Sequence, residues 1–300
     1  MLKKIKDLID YFKYLNNPFE VLKFKFGFIK TCTVKVKQEN YHITLNNISS
    51  LNKLMNLLPR VKSEATYDYL RYIESIDNND KYVNISGIKF MNFYNSDFNK
   101  THNNNYYSHL TEFFTDDVLK IINYSNRHVV DIGGNIGDTA LFFANENAEV
   151  ISFEPVKHLY DLAVENVNLN PNLKKKITLV NKAIGGKRGK LSLDSTSIIE
   201  YIDDDSNEME VITIEDLFNE FNFTPDILKM DCEGCEFEII EKYDLSMFNE
   251  IIFEHHSKIV EKDYQVLVNQ LKIQGFKIKF FDSTGTMLDF EKQGMIYAYK

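Results

Sequence analysis

His128-Val129-Val130-Asp131-Ile132-Gly133-Gly134-Asn135-Ile136-Gly137-Asp138-Thr139 joins a short buried strand, a glycine turn and the start of a helix in one run. Val129 and Val130 are β-branched and adjacent, which suits a strand covered on both faces. Gly133, Gly134 and Gly137 permit a sharp turn and a close approach of backbone to a ligand, because no Cβ intervenes. Residues 136–148 then read as a helix, with Ile136, Ala140, Phe143 and Ala144 on one side. A helix that starts straight after a strand offers backbone N–H groups with no partner of their own.

The glycine pattern is G-G-x-x-G and not the G-x-G-x-x-G of dinucleotide sites. The strand ends in Asp131, whose carboxylate would repel a pyrophosphate but suits a ligand carrying ammonium and sulfonium charges. About 20 residues further on, a second strand (149–153) ends in Phe153-Glu154-Pro155, placing Glu154 to bind both hydroxyls of a ribose. Taken together, D-x-G-x-x-x-G with a following strand-end acid resembles the S-adenosylmethionine (SAM) site of class I methyltransferases.

Working outward from 128, strand and helix alternate, as in a doubly wound α/β domain. Strands are expected at 128–132, 149–153, 177–183, 227–230, 251–254, 276–281 and 295–300. Helices are expected at 155–168, from Ile214, at 234–242 and at 259–274, and Pro155 is read as opening the first of these. An excursion at 190–212 reads as short strands around Asp203-Asp204-Asp205, a run best taken as a solvated acidic loop. An antiparallel last strand would pair beside the strand at 276–281. The expected fold is therefore α/β: a Rossmann-like class I methyltransferase sheet, mostly parallel, with an α+β region before it.

A second dense stretch is Lys229-Met230-Asp231-Cys232-Glu233-Gly234-Cys235-Glu236. Ligands of open α/β sheets bind beyond the C-terminal ends of the strands. Asp131, Glu154, Asp231 and the run Glu254-His255-His256 all fall at that edge, more polar groups than a core requires. The chain here resembles the FkbM family of SAM-dependent methyltransferases. The blocks that carry the likeness are 129–139, Phe153-Glu154-Pro155, 181–185 and 228–236, with Ile212 to Leu217 and Phe253 to His256 in support. The family usually has Val and Ala where this chain has Cys232 and Cys235. That departure, and the lack of a second Cys pair for zinc, points to structural cysteines without zinc or redox chemistry. The likeness covers about 128 to 260, and residues 1–127 carry no recognised motif.

The resemblance implies a cofactor site at Asp131, Gly133, Gly134, Asn135, Gly137, Glu154 and Ala183, with SAM as the cofactor. It also implies O-methylation of a sugar, glycan or other small molecule. A hydroxyl is a poor nucleophile and needs a base or a metal. His256 is the first candidate base, on the expectation that strand 251–254 continues extended, so that Glu254 and His256 share a face. Asp231 is the second candidate, as base or as the group orienting the base or the SAM amine. Asp231, Glu254 and a His suit a divalent metal, a reading left uncommitted. The competing readings are a non-catalytic SAM- or nucleotide-binding protein with a docking N-terminus, and a nicotinamide oxidoreductase, which the glycine spacing disfavours.

Composition bounds the partners. The chain has 300 residues, 44% hydrophobic and 26% charged, with 23 Phe, 17 Tyr and no Trp. A net charge of −9 argues against a general nucleic-acid binder. No run approaches the ~18 apolar residues of a membrane span, Lys6, Asp7 and Asp10 interrupt any signal-peptide core, and three cysteines make no secreted framework. A reducing cytoplasm is the expected location.

Charge is uneven, however. Residues 1–30 hold seven Lys against Asp7, Asp10 and Glu20, a net of +4, which leaves −13 for the rest. A basic start suits an anionic surface; a solvated helix face is the preferred reading. The domain boundary is placed at 110/111. Before it are expected an amphipathic helix over 2–15 (Leu2, Ile5, Leu8, Ile9, Phe12, Leu15), a hairpin through Cys32–Val36 and Tyr41–Leu45, helices at 50–58 and 63–75, and a second hairpin at 82–94. The loop 96–109 mixes amides, His and Tyr in a way that suits a hydroxylated substrate, although a plain surface loop is preferred. Thr115 or Asp116 is expected to cap a helix reaching Ser125.

Overall fold

The computed structural model describes residues 2–37, 41–61, 65–78, 80–92, 110, 118–192, 208–221, 224–281, 287–288 and 294–300. It forms two compact units, Met1–Thr115 and Asp116–Lys300. The turn expected at 38–40, the loop 96–109 and Asp203-Asp204-Asp205 lie outside the described residues.

In the first unit, α1 (Leu2–Tyr14) and α2 (Pro18–Lys25) precede a hairpin of β1 (Cys32–Lys35) and β2 (His42–Leu45). Helices α3 (Ile48–Leu57) and α4 (Thr66–Asp77) follow, then a hairpin of β3 (Tyr82–Ile85) and β4 (Ile88–Met91). Helix α2 was not anticipated. Its signals are Pro18 in the first turn, Glu20 beside it, and Lys23 and Lys25 in the last turn, all placed to suit the helix dipole. The apolar stripe expected over 2–15 divides along its length. Leu15, just past the end of α1, and Tyr11 are buried, whereas Leu8, Ile9 and Phe12 are exposed.

The second unit begins, among its described residues, with a single 3₁₀ turn at Val118–Ile121 where a longer helix to Ser125 was expected. Then come β5 (His128–Ile132), α5 (Asp138–Asn145), β6 (Glu149–Phe153), α6 (Lys157–Asn168), α7 (Pro171–Lys174) and β7 (Ile177–Val180). A small sheet of β8 (Ala183–Ile184), β9 (Gly189–Ser192) and β10 (Glu208–Ile212) interrupts the alternation. It resumes with α8 (Ile214–Glu220), β11 (Ile227–Met230), α9 (Cys235–Lys242) and β12 (Glu250–Glu254). The described elements end with α10 (Ser257–Val260), α11 (Gln265–Ile273), β13 (Lys277–Phe281), β14 (Met287–Leu288) and β15 (Met295–Tyr299).

The main sheet runs β14-β13-β15-β12-β11-β5-β6-β7. Its β5, β6, β7, β11 and β12 pair in parallel, and β15 inserts antiparallel between β12 and β13. This is the mostly parallel class I methyltransferase sheet, and it brings the C-terminal ends of β5, β6, β11 and β12 to one edge. Two cores cover its faces, one built on Val130, Ile132, Leu228, Met230, Phe237 and Phe253, the other on Val129, Ala140, Phe143, Val150 and Ile252.

Several boundaries move for local reasons. Helix α5 starts at 138 and not 136, because Gly137 sits at its N-cap with φ +78°. Pro155 lies outside α6. The strand at 177 stops at Val180, where Asn181 turns away and donates through Nδ2 to the carbonyls of Glu154 (2.8 Å) and Pro155 (3.0 Å). The helix expected over 259–274 is two, interrupted by Glu261 in the left-handed region at φ +53°.

Candidate active site

The glycine turn after β5 is held from beneath by a buried charge set. Register puts Lys229 of β11, Asp131 of β5 and Ser152 of β6 side by side across three strands. Asp131 is fully buried. Its Oδ2 accepts from Ser152 Oγ and Thr139 Oγ1, both at 2.8 Å. Lys229 Nζ donates to Gly133 O at 2.8 Å and stands 3.1 Å from Asp131 Oδ1. That second contact is an ion pair without hydrogen-bond alignment, which leaves Oδ1 short of an aligned donor. Burial pulls the Lys229 ammonium down, but Asp131 and Asp231 outweigh it and hold it above its ordinary value. Asp131, read from the sequence as suiting a cationic ligand, thus has a buried lysine of the protein's own as its ion-pair partner.

Above this set the turn is tight. Gly133, at φ +80°, packs so closely under β11 that a Cβ there would stand 1.8 Å from Asp231 O. A Cβ on Gly134 would meet Ser152 Oγ at 2.1 Å. Gly133 N and Gly134 N both donate to Phe153 O at 2.9 Å, and Asn135 N donates to Glu154 Oε2 at 2.8 Å. Glu154 also accepts from Val156 N at 2.8 Å. Burial pushes its carboxyl up to about 7 against the pull of these two backbone donors. Ala183, by contrast, is buried in β8 of the small sheet, paired with Val211.

The rim after β11 and β12 is built differently. Glu233 (φ +55°) and Gly234 (φ +119°) turn the chain into α9. Glu236, fully buried on that helix, accepts from Gly234 N (3.0 Å), His256 N (2.7 Å) and His256 Nδ1 (3.0 Å). With Nδ1 so engaged, His256 Nε2 faces Glu233 Oε2 at 3.5 Å and Asp231 Oδ1 at 3.8 Å. His256 does not continue strand β12 in extended form, as expected; it caps α10 with φ −106° and ψ 42°. Glu236 decides where the imidazole goes. Burial alone would lower the His256 pKa, but Glu236, Glu233 and Asp231 carry it up to about 9. Glu254 stands at the end of β12, its carboxyl pushed up by burial and by Asp231. His255 takes another direction, its Nδ1 2.9 Å from Ser257 Oγ and its ring against Tyr264.

Cys232 and Cys235 are joined by a disulfide across this turn, with Cα atoms 5.5 Å apart. The two cysteines expected to be structural form a crosslink, because the left-handed residues between them bring the two together. Ligand atoms of Asp231, Glu233 and His256 lie within 4.8 Å of one another, close enough to share a cation.

Residues 131–289 match the model of the methyltransferase FkbM domain, just over half of the sequence. The chain belongs to the FkbM methyltransferase family. Every site residue named above lies inside the matched region. The structure of methyltransferase FkbM from Methylobacillus flagellatus KT is 14% identical, with a TM-score of 0.45; the match covers 84% of this chain and 59% of that one, less than two thirds of its length. TrmK of M. capricolum, in complex with its cofactor product S-adenosyl-homocysteine, is 14% identical with a TM-score of 0.37, covering 61% of this chain and 64% of that one. Precorrin-6y C5,15-methyltransferase of Geobacter metallireducens GS-15 is 13% identical with a TM-score of 0.35, covering 59% and 82%. No curated protein sequence matches the chain significantly.

SAM is the cofactor the family implies, and the donor set suits it. Glu154 offers a carboxylate to a diol at the end of β6. Asp231, half exposed at the end of β11, offers one to a cation beside the glycine turn. Asp131 Oδ1 retains acceptor capacity beneath that turn.

Proposed function

We propose that this FkbM-family chain is a SAM-dependent O-methyltransferase acting on a hydroxyl of a sugar, glycan or other small molecule, with His256 as the base. The observation that carries the reading is the Glu236–His256 pair. A buried carboxylate holds Nδ1–H, fixing the tautomer so that Nε2 is the atom open to the rim. Nε2 then stands beside Asp231, whose own backbone carbonyl is packed against Gly133. One residue thus links the glycine turn to the base.

SAM supplies an activated methyl when bound. Residues of this chain would supply alignment, exclusion of water and a destination for a proton. Glu154 is assigned to the ribose hydroxyls. Gly133, Gly134, Asn135 and Gly137 shape the turn over the buried Asp131–Lys229 pair, and Ala183 is kept as a candidate contact. Asp231 orients the SAM amine, Glu236 positions His256, and Glu254 faces the acceptor. His256 Nε2 receives the acceptor proton. Its pKa of about 9 makes the base form scarce at neutral pH, so turnover should climb about tenfold per pH unit toward 9 and then level.

The test has two stages. Calorimetric titration with SAM and with its demethylated product measures binding. Methyl transfer to a panel of hydroxylated acceptors, followed by mass, measures chemistry. No heat from either ligand rejects the cofactor assignment; binding without transfer to any hydroxyl favours the non-catalytic reading.

A further inference from the structure

The sequence over 2–30 is amphipathic and basic, and the usual use of such a stripe is to dock a helix onto its own core. Here the core takes Tyr11 of α1, Leu15 just past its end, and Val21 and Phe24 of α2. The apolar residues left over are large and exposed: Leu8 45%, Ile9 57%, Phe12 40%, Phe19 71%, Phe26 67% and Phe28 78%. The rings of Phe12 and Phe19 meet at 5.2 Å, so the exposed faces of α1 and α2 are continuous. Phe26 caps the C-terminus of α2, seven residues after Phe19. Single exposed apolar residues need no explanation, but a contiguous group of aromatic ones marks a contact surface.

Charge selects the partner. Residues 1–30 carry seven Lys, Lys13, Lys23, Lys25 and Lys30 among them, against Asp7, Asp10 and Glu20. Lys23, exposed on α2, is four residues after Phe19, so the two share a side of that helix. Lys25 Nζ rests 4.7 Å from the centre of the Tyr11 ring, which keeps its charge on α1. Aromatic side chains flanked by lysines, on helices too short and too polar to span a bilayer, fit the interface of an anionic membrane, where rings enter the headgroup boundary and ammonium groups meet phosphate. Among the described residues no helix is long and apolar enough to cross a membrane, so such contact would be peripheral. We propose that the α1–α2 face, through Phe12, Phe19, Phe26 and Phe28 with their neighbouring lysines, docks this protein onto anionic lipid bilayers.

The experiment is co-sedimentation of the full chain with vesicles of phosphatidylcholine alone or mixed with phosphatidylglycerol. It needs neither SAM nor an acceptor, so its outcome is independent of the proposed chemistry. Wild type should partition onto the phosphatidylglycerol vesicles and be released by salt. F19S/F26S should lose roughly tenfold or more of that binding while keeping its circular dichroism and melting temperature, since both rings are exposed. Lys23→Glu with Lys25→Glu should abolish the preference for the anionic vesicles. Absence of binding to either vesicle, or unchanged binding by F19S/F26S, overturns the proposal. So does light scattering that shows a dimer which F19S/F26S dissociates, since that would assign the face to a second copy of the chain.

Discussion

Two strand ends on one edge of the sheet carry acids, and they use them in opposite ways. At the end of β5, Asp131 is fully buried and tied to Lys229, Ser152 and Thr139. At the end of β11, Asp231 and Glu233 have side chains 45% and 48% exposed, and they share His256 between them. Residue type is the same and topology is nearly the same. What differs is whether a neighbouring strand supplies a buried cation at the same register. Where it does, the carboxylate becomes part of the scaffold under the glycine turn. Where it does not, the carboxylates stay at the rim with charge to spare.

The sharpest way to break this contrast is to remove the buried cation. Lys229→Met leaves Asp131 buried with its charge uncompensated, and losing one partner of a buried pair costs about 3–5 kcal/mol. Chemical denaturation should show that loss, and K229M with Asp131→Asn should recover most of it, because the remaining group is then neutral. If K229M unfolds at the wild-type denaturant concentration, Asp131 is not held as a charge and the two strand ends are not different in kind.

At the rim the corresponding removal should spare the fold and lower the rate. His256→Ala is expected to reduce turnover roughly hundredfold, with SAM affinity, read by calorimetry, nearly unchanged. Full activity in H256A would move the base elsewhere. Glu154→Ala lies between the two cases, since its carboxylate both braces Asn135 and is assigned to the ribose. SAM should bind more than about tenfold weaker for loss of a charge-assisted acceptor, and an unchanged dissociation constant would take Glu154 out of the cofactor site.

The contrast also marks what could be read from residues alone. Val129-Val130-Asp131-Ile132 and its glycines are local signals, so the parallel sheet and the edge where its strand ends gather were legible. So was the antiparallel pairing of the last strand beside β13. The partners that decide each acid's role were not, because they arise from register and packing. Lys229 was visible as a lysine inside the apolar run Ile227-Leu228-Lys229-Met230, a pattern that asks for a buried anion, but nothing local says that Asp131 is opposite. Glu236 looked like any acid in the first turn of a helix; only the fold of the turn at Glu233 and Gly234 brings it under His256. In the first unit the error ran the other way. Leu8, Ile9 and Phe12 made a good helical stripe, and periodicity cannot say whether such a stripe meets the protein's own core.

The smallest expected effect is the most discriminating for the rim. Glu233 and Asp231 both face His256 Nε2, Glu236 holds Nδ1, and Glu254 stands nearby on β12, so the ring is flanked by acids from three elements. Glu236, Glu233 and Asp231 favour the protonated ring, which is why its pKa stands near 9 in place of 6.5. Glu233→Gln keeps the size of the side chain and removes one of those charges. The ring should then lose its proton at lower pH, and more of the base form is present near neutrality. The pH–rate profile should therefore shift downward, with turnover at pH 7 rising modestly although a rim carboxylate has been deleted. Glu236→Gln removes a charge too, but also the acceptor that fixes the tautomer, so its rate should fall. If the carboxylates at this rim only held the loop together, both variants would slow the reaction alike. Opposite signs from two Glu→Gln changes on the same imidazole would show that one acid sets its proton affinity and the other its direction.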